Sequence, residues 1–233
     1  MPIPAVPDHV AVAVPDMEAA AARWRDELGA GWANQGMFKP EAPFHVRQLR
    51  FSNGARLELL QPNGDGFAQA FLDRFGTQVH HVTLKVPDAL TPAVEAVRAA
   101  GYDVVDVRTE GVWHEAFLRP SQVGGIIVQL AWEAEDDEEG FDESGDPPET
   151  PLGDAALLGP TLTHPDLEAA ERFWHTVGGT ITRDGQAMVV AWDGYPLTVR
   201  VEPGPAAGPL GLRFAGVEPR PADDVTGPAV LVD

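Results

Sequence analysis

The sequence predicts an α+β fold built from paired β-α-β-β-β modules, followed by a degenerate C-terminal module pair. The first observation is a repeat: "DHVAVAVPD" at residues 8–16 nearly recurs as "HHVTLKVPD" at residues 80–88. A shift of 72 residues superposes His9 on His81, Pro15 on Pro87, Asp16 on Asp88 and Gly29 on Gly101. Such a repeat indicates that one supersecondary unit is present twice, so we expect both copies to fold alike.

The second observation is the order of patterns within each copy. Alternating apolar residues predict an opening strand, an aspartate then caps a helix, and a glycine ends that helix. The apolar stripe of the helix comprises Met17, Ala20, Ala21, Trp24 and Leu28 in the first copy and Leu90, Ala93, Val94 and Val97 in the second. Three short strands are predicted after each helix, within "WANQGMF", "FHVRQLRF" and "ARLELLQP" in the first copy and within "YDVVDVRT", "HEAFLRP" and "GIIVQLAW" in the second.

The third observation concerns the division of the chain into domains. Residues 133–150 hold ten carboxylates and no Lys or Arg, a composition typical of a solvated, flexible segment. Beyond it, "LLGPTLTHPDLEAAERFWHTVGG" repeats the module at a shift of 150, with Gly159 in the place of His9. The remaining chain is too short for a fourth complete module. We therefore predict a paired-module domain at 1–133, an acidic flexible linker at 134–155 and a degenerate domain at 156–233.

Composition restricts the partners of the protein. The chain of 233 residues carries 36 acidic and 16 basic side chains, and this excess argues against a nucleic acid partner because phosphate binding needs clustered Lys and Arg. No apolar run approaches the roughly 18 residues of a membrane helix, the N-terminus lacks the pattern of a signal peptide, and there is no Cys. We expect a cytoplasmic protein with a small-molecule substrate and no membrane partner. The degenerate domain is expected to cap the sheet or to support a homodimer.

One polar residue interrupts the last strand of each copy, and it complements the repeated histidine. Glu58 lies in "RLELL" and Gln129 lies in "IIVQL", at nearly equal distances along the chain from His9 and His81. If the two copies pack about a pseudo-twofold axis, these four side chains converge. Two imidazoles, a carboxylate and an amide oxygen suit one divalent cation such as Zn, Ni, Co, Mn or Fe. A histidine at a strand start is more often a hydrogen-bonded structural residue, but that alternative does not explain the matching positions.

The chain resembles the vicinal oxygen chelate superfamily, which includes glyoxalases, bleomycin resistance proteins, extradiol dioxygenases and methylmalonyl-CoA epimerases, and it is most similar to the epimerases. The resemblance rests on "DHVAVAVPDMEAAAARWRDELG", "KPEAPFHVRQLRFSNGARLELLQP", "VHHVTLKVPD" and "FLRPSQVGGIIVQL". It implies a cupped sheet around one divalent metal ion held by His9, Glu58, His81 and Gln129. The "KPE" stretch also implies that Glu41 is an acid/base group.

The chain departs from the epimerase pattern at the two non-histidine ligand positions. Epimerases usually have Gln at the place of Glu58 and Glu at the place of Gln129, so the carboxylate and the amide are exchanged here. An amide cannot accept a proton as a general base, so the exchange moves this role to Glu58, with Glu41 as the second group. The expected function is a glyoxalase-like, metal-dependent lyase or isomerase, with epimerase-type proton transfer next to the carbonyl of a small acid or thioester.

Two other functions remain open at this point. Superfamily members with incomplete ligand sets bind small molecules without catalysis, so a drug-sequestering protein of the bleomycin resistance type is the first alternative. An extradiol dioxygenase ranks last, because Gln129 occupies the position where such an enzyme would need a carboxylate for Fe(II).

Four cations are candidates for contact with an anionic substrate. Lys85 lies on the predicted cavity face and Arg47 lies on a neighbouring strand, so either could hold a substrate carboxylate. Such long side chains more often lie along the protein surface. A CoA tail would need a basic rim, for which Arg47, Arg50 and Arg56 are the available residues.

Overall fold

The computed structural model describes residues 2–134 and 149–232, which divide into two compact units. Unit 1 comprises residues 2–8, 81–134 and 159–210, and unit 2 comprises residues 9–80, 149–158 and 211–232. Each unit draws on residues from both sides of the acidic segment, and the domain division at 1–133, 134–155 and 156–233 stays a prediction. Most of the acidic linker, residues 135–148, lies outside the described residues.

The first module lies in unit 2 from His9 onward. Its elements are β1 (Val6–Ala13), α1 (Met17–Ala21), a π-helical segment (Ala22–Glu27), β2 (Gly31–Trp32), β3 (Phe44–Arg50), β4 (Arg56–Pro62) and α2 (Phe67–Phe75). The strand order is β2-β3-β4-β1, with β3 antiparallel to β2 and β4, and β1 parallel to β4. The predicted β-α-β-β-β order is confirmed, and α2 is an additional helix that the prediction did not include.

The first predicted helix starts as expected and then changes type. The Asp16 side chain accepts a hydrogen bond of 3.0 Å from the backbone N–H of Ala19, as an N-cap residue does. From Ala22 the helix widens into a π-helix, a form found mostly as short segments with a specific local cause. The neighbouring side chains Arg23 and Trp24 lie in this π-helical segment, and both are buried.

These two side chains attach the C-terminal segment of the chain to the first module within unit 2. Arg23 donates hydrogen bonds to the carbonyl oxygens of Pro221 at 3.1 Å and Pro228 at 2.9 Å. The indole N–H of Trp24 donates to the carbonyl of Thr226 at 2.9 Å. The buried Arg23 guanidinium thus donates to backbone carbonyl groups in these contacts, and not to a carboxylate. Burial lowers its pKa.

Replacing Arg23 with Met is expected to lower the free energy of unfolding by about 2 to 4 kcal/mol, because the loss of several donors leaves buried carbonyl groups unpaired. Urea denaturation followed by circular dichroism measures the change. Arg25→Met is the matched control from the same helical segment. Arg25 is 39% exposed and pairs with Glu149 on the surface, so its loss should cost less than about 1 kcal/mol. Equal losses in the two variants would contradict the structural role of Arg23.

The second module lies in unit 1 from His81 onward and repeats the first. Its elements are β5 (Gln78–Lys85), α3 (Leu90–Ala99), β6 (Val104–Arg108), β7 (Trp113–Leu118), α4 (Pro120–Val123) and β8 (Ile127–Glu133). The strand order is β5-β8-β7-β6, with β5 parallel to β8 and β7 antiparallel to its neighbours. The predicted duplication is therefore confirmed at the level of secondary structure. The predicted helix cap at Asp88 is wrong, because Ala89 is the N-cap residue of α3 and its methyl side chain cannot accept a hydrogen bond.

The C-terminal pair is less degenerate than expected. The third module has a full set of elements, β9 (Ala156–His164), α5 (Leu167–Thr176), β10 (Thr180–Asp184), β11 (Ala187–Ala191) and β12 (Val199–Pro203), in the order β10-β11-β12-β9. The fourth module is reduced to β13 (Gly208–Ala215) and β14 (Val230–Val232), which pair in parallel. This pair corresponds to the parallel first and last strands of a complete module.

The described strands belong to two sheets, of eight and six strands, with a few short helices. The protein is therefore of the α+β class, as predicted. In each module the first and last strands form a parallel pair. The predicted ligands His9 and Glu58 lie on this pair in the first module, and His81 and Gln129 lie on it in the second. None of the described helices is long and apolar enough to cross a membrane.

Candidate metal and substrate site

His9 and Glu58 form a buried pair in unit 2. Glu58 on β4 is in register with Ala11 on β1, and His9 lies two residues before Ala11, so both side chains lie on the same sheet face. His9 Nε2 lies 3.4 Å from Glu58 Oε2, and His9 is 1% exposed. The structure therefore brings together the first two predicted metal ligands in a protected environment.

Gln48 and Arg56 extend this pair into a network within unit 2. Gln48 on β3 is directly opposite Glu58 in the antiparallel register. Its amide nitrogen lies 3.4 Å from Glu58 Oε2 and 3.3 Å from His9 Nδ1, and its amide oxygen accepts a hydrogen bond of 3.3 Å from Arg56. The arginine thus fixes which end of the amide faces the histidine and the carboxylate. Sequence reasoning did not identify Gln48.

His81 and Gln129 lie on one sheet face in unit 1. Gln129 on β8 is in register with Thr83 on β5, two residues after His81. All three side chains are buried. Gln129 Oε1 accepts a hydrogen bond of 2.5 Å from the Thr83 hydroxyl. The second predicted ligand pair therefore shares a face in the second module, as the first pair does in the first.

Glu115 contacts Gln129 and is the second residue that sequence reasoning missed. Glu115 lies on β7, two residues before Phe117, which is opposite Gln129 in the register. Gln129 Nε2 donates a hydrogen bond of 2.7 Å to Glu115 Oε2, and Arg108 donates to Glu115 Oε1 at 3.1 Å. The second module therefore carries a carboxylate on this face after all, one strand away from the expected position.

Lys85 and Arg47, the two candidates for a substrate carboxylate, have other partners. Lys85 Nζ lies 2.5 Å from Glu133 and 3.5 Å from Asp8, so two carboxylates of unit 1 balance its charge. The Arg47 guanidinium lies 3.8 Å from the ring centroid of Trp32, on the face of β3 opposite to Gln48. Both side chains thus have partners within the protein, and a role of either in holding a substrate carboxylate stays a prediction.

Glu41 lies in the turn that precedes β3, and it is exposed. Its role as an acid/base group stays a prediction.

His80 is a structural residue, although it is adjacent to His81 in sequence. It packs against Phe71 and Phe67 in unit 2, with ring centroids 4.5 Å and 5.9 Å away. Burial lowers the pKa of His80 to about 4, so its imidazole is neutral near pH 7. The alternation along β5 thus separates the two histidines, as expected from their positions.

The third module has different residues at the two ligand positions. Gly159 stands in the place of His9, and a Cβ atom there would lie 2.1 Å from the carbonyl oxygen of Thr198, so the backbone leaves no room for a side chain. Arg200 is in register with Thr161, as Glu58 is with Ala11, and it pairs with Glu202 at 3.0 Å. An arginine with carboxylate partners thus stands at the position that corresponds to Glu58.

Comparison with protein families and curated proteins identifies similar chains. The model of the glyoxalase/bleomycin resistance protein/dioxygenase superfamily matches residues 8–117. An ethylmalonyl-CoA/methylmalonyl-CoA epimerase of Cereibacter sphaeroides is 33% identical over 129 residues, a match that covers 53% of this chain and 94% of that protein. The mitochondrial methylmalonyl-CoA epimerase of Mus musculus is 32% identical over 127 residues, with 53% of this chain and 70% of that protein covered.

A solved structure resembles the whole chain rather than half of it. The crystal structure of a hypothetical protein from Staphylococcus aureus superposes with a TM-score of 0.64 and covers 97% of this chain and 98% of that one. At 10% identity this likeness shows the fold alone. The four-module arrangement of strands and helices therefore recurs in another protein, whereas the similarity to the epimerases extends over about half the chain.

Proposed function

Because the chain belongs to the glyoxalase/bleomycin resistance protein/dioxygenase superfamily, we propose that it is an epimerase-type isomerase that moves a proton at the carbon next to a thioester carbonyl. Methylmalonyl-CoA is the first substrate to test, because the similar curated proteins are named for it. In such a reaction only a proton moves and no bond between heavy atoms breaks, so the proposed enzyme is an isomerase and not a lyase.

The buried contact between His9 and Glu58 is the observation that carries the proposal. A carboxylate in this position, 11% exposed, is largely shielded from bulk water, which suits a general base. Gln48 donates to the same carboxylate and restricts its orientation. Glu58 is proposed to remove the proton from the substrate carbon, while the electron pair moves into the thioester carbonyl.

We further propose that His9, Glu58 and His81 hold one divalent cation, of the group Zn, Ni, Co, Mn and Fe. Two buried imidazoles and a buried carboxylate are a ligand set that fits these metals. When bound, the cation would supply Lewis-acid polarisation of the carbonyl oxygen. Gln129 is proposed as a further oxygen ligand.

Glu41 is proposed to return a proton to the carbon from the other face, which completes the inversion.

A non-catalytic binding protein is the second candidate. The observation that favours it is the amide of Gln129, which stands where epimerases usually carry a carboxylate. Such a protein would bind a small molecule without exchanging its protons.

Proton exchange in D2O separates the two candidates. The full chain, loaded with Co²⁺ or Zn²⁺, is incubated with methylmalonyl-CoA, and mass spectrometry follows the substrate. The proposal predicts the gain of one deuterium at the carbon between the carbonyl groups, at a rate well above the protein-free control. Saturable binding in calorimetry without accelerated deuterium gain would instead establish the binding protein, and the isomerase would be ruled out for this substrate.

A further inference from the structure

We propose that Glu115 is a positioning residue, which holds the side-chain amide of Gln129 so that its oxygen, and not its NH2 group, is turned toward the strand that carries His81. This inference rests on the proposed function, because the oxygen would serve the cation or the substrate of that site. Gln129 and Glu115 both belong to unit 1, and so does His81.

In the second module, β8 lies between β5 and β7 in the sheet. The Gln129 NH2 group donates at 2.7 Å to Glu115 on β7, and its oxygen accepts at 2.5 Å from Thr83 on β5. The two ends of the amide are therefore drawn to opposite neighbours, with the oxygen on the side of His81.

The hydrogen-bonding chemistry of Glu115 determines which end of the Gln129 amide it binds. An ionised carboxylate only accepts hydrogen bonds, so Glu115 binds the NH2 end of the amide and would repel the oxygen end. Arg108 donates to the other oxygen of Glu115 at 3.1 Å, so both carboxylate oxygens accept hydrogen bonds and the carboxylate is held in place from two sides. The Gln129 oxygen has two lone pairs, and the Thr83 hydroxyl uses one of them. One lone pair thus remains for a cation or for a donor on the substrate.

The first module contains a related set of contacts, although its arginine lies on the same strand as Glu58. Glu58 on β4 is contacted from β3 by Gln48, and Gln48 in turn accepts from Arg56. In the first module, Arg56 contacts the amide of Gln48, which contacts the carboxylate of Glu58. In the second module, Arg108 contacts the carboxylate of Glu115, which contacts the amide of Gln129. The carboxylate and the amide have thus exchanged places. A positioning residue in the second module therefore has an independent counterpart in the other unit.

Glutamine amide protection in the metal-free protein tests the contact directly. NMR exchange of the Gln129 NH2 protons should be slow in the wild type, because Gln129 is buried and its NH2 group donates to Glu115, and should become fast in Glu115→Leu. The signal is assigned from its absence in Gln129→Leu. Unchanged protection in Glu115→Leu would overturn the proposal.

Cation affinity, measured by calorimetric titration with Co²⁺, tests the consequence. Residues that orient a metal ligand typically contribute 10- to 100-fold in affinity, so Glu115→Leu should weaken Co²⁺ binding by about that factor. Glu115→Gln keeps an acceptor oxygen and should bind within a few-fold of the wild type. Glu95→Gln, an exposed residue of α3, is the control with no expected change. Full affinity in Glu115→Leu would contradict the positioning role.

The two measurements keep the failure of this inference apart from the failure of the proposed function. If the wild type binds no Co²⁺, the cation part of the proposed function is wrong, whereas the amide measurement still decides the orientation of Gln129. If Glu115→Leu does not fold, Glu115→Asp replaces it. Its shorter side chain withdraws from Gln129, so we expect faster NH2 exchange and weaker Co²⁺ binding, and neither change if Glu115 has no such role.

Discussion

Glu58→Gln is expected to reduce the rate of proton exchange at the substrate carbon by about 100- to 10,000-fold, the usual contribution of a general base. The amide matches the carboxylate in shape but cannot accept the proton. Because epimerases of the resembling type usually carry Gln at this position, the variant should retain its fold and its cation. Deuterium gain measured by mass spectrometry gives the rate, and calorimetry with Co²⁺ gives the affinity.

Two further variants sharpen this result. The double variant Glu58→Gln with Gln129→Glu restores the arrangement that epimerases usually have, so it should recover exchange activity lost in the single variant. Glu95→Gln removes an exposed carboxylate of α3 and should leave the rate unchanged. Full turnover by Glu58→Gln would show that the proton is removed by another group, and the assignment of the base would be wrong.

Cation binding is expected to stabilise the wild-type protein, and substitution of His9 should remove that effect. A ligand at 100 times its Kd adds about 2.7 kcal/mol to the free energy of unfolding, which is observed as a rise in Tm. His9→Gln should show almost no rise with Co²⁺, because a buried imidazole ligand is lost. Differential scanning fluorimetry with and without EDTA measures the shift.

The control for His9 is His175, an exposed residue near the end of α5. His175→Gln should keep the full Co²⁺-dependent rise in Tm. A wild-type protein whose Tm does not respond to Co²⁺ or EDTA would contradict the metal proposal and favour a binding protein without a cation.

The module architecture could be predicted from the sequence because it depends on local patterns. The repeat of "DHVAVAVPD" as "HHVTLKVPD" predicted matching strands, and the capping role of Asp16 followed from its position before an apolar stripe. The change from α-helix to π-helix at Ala22 could not be predicted in this way. The buried side chains of this segment, Arg23 and Trp24, contact residues about 200 positions away in sequence, which no local pattern reveals.

The candidate site was predictable only in part, for a similar reason. His9 and Glu58 were identified because each interrupts an apolar strand, and the structure places them in contact. Gln48 and Glu115 lie in strands with several polar residues, so neither interrupts a pattern. Their roles depend on the cross-strand register, which a single sequence does not specify. The ion pairs of Lys85 with Asp8 and Glu133 could not be predicted, because neither partner is its neighbour in sequence.

The stoichiometry of cation binding tests the central proposal, that one ion is shared by His9 of the first module and His81 of the second. Equilibrium dialysis with Co²⁺ and elemental analysis gives the number of ions per chain in the wild type, His9→Gln and His81→Gln. We predict one ion per wild-type chain and almost none in either variant at the same free Co²⁺ concentration. Retention of a full ion by either variant, or two ions in the wild type of which each variant loses one, would contradict a shared metal site.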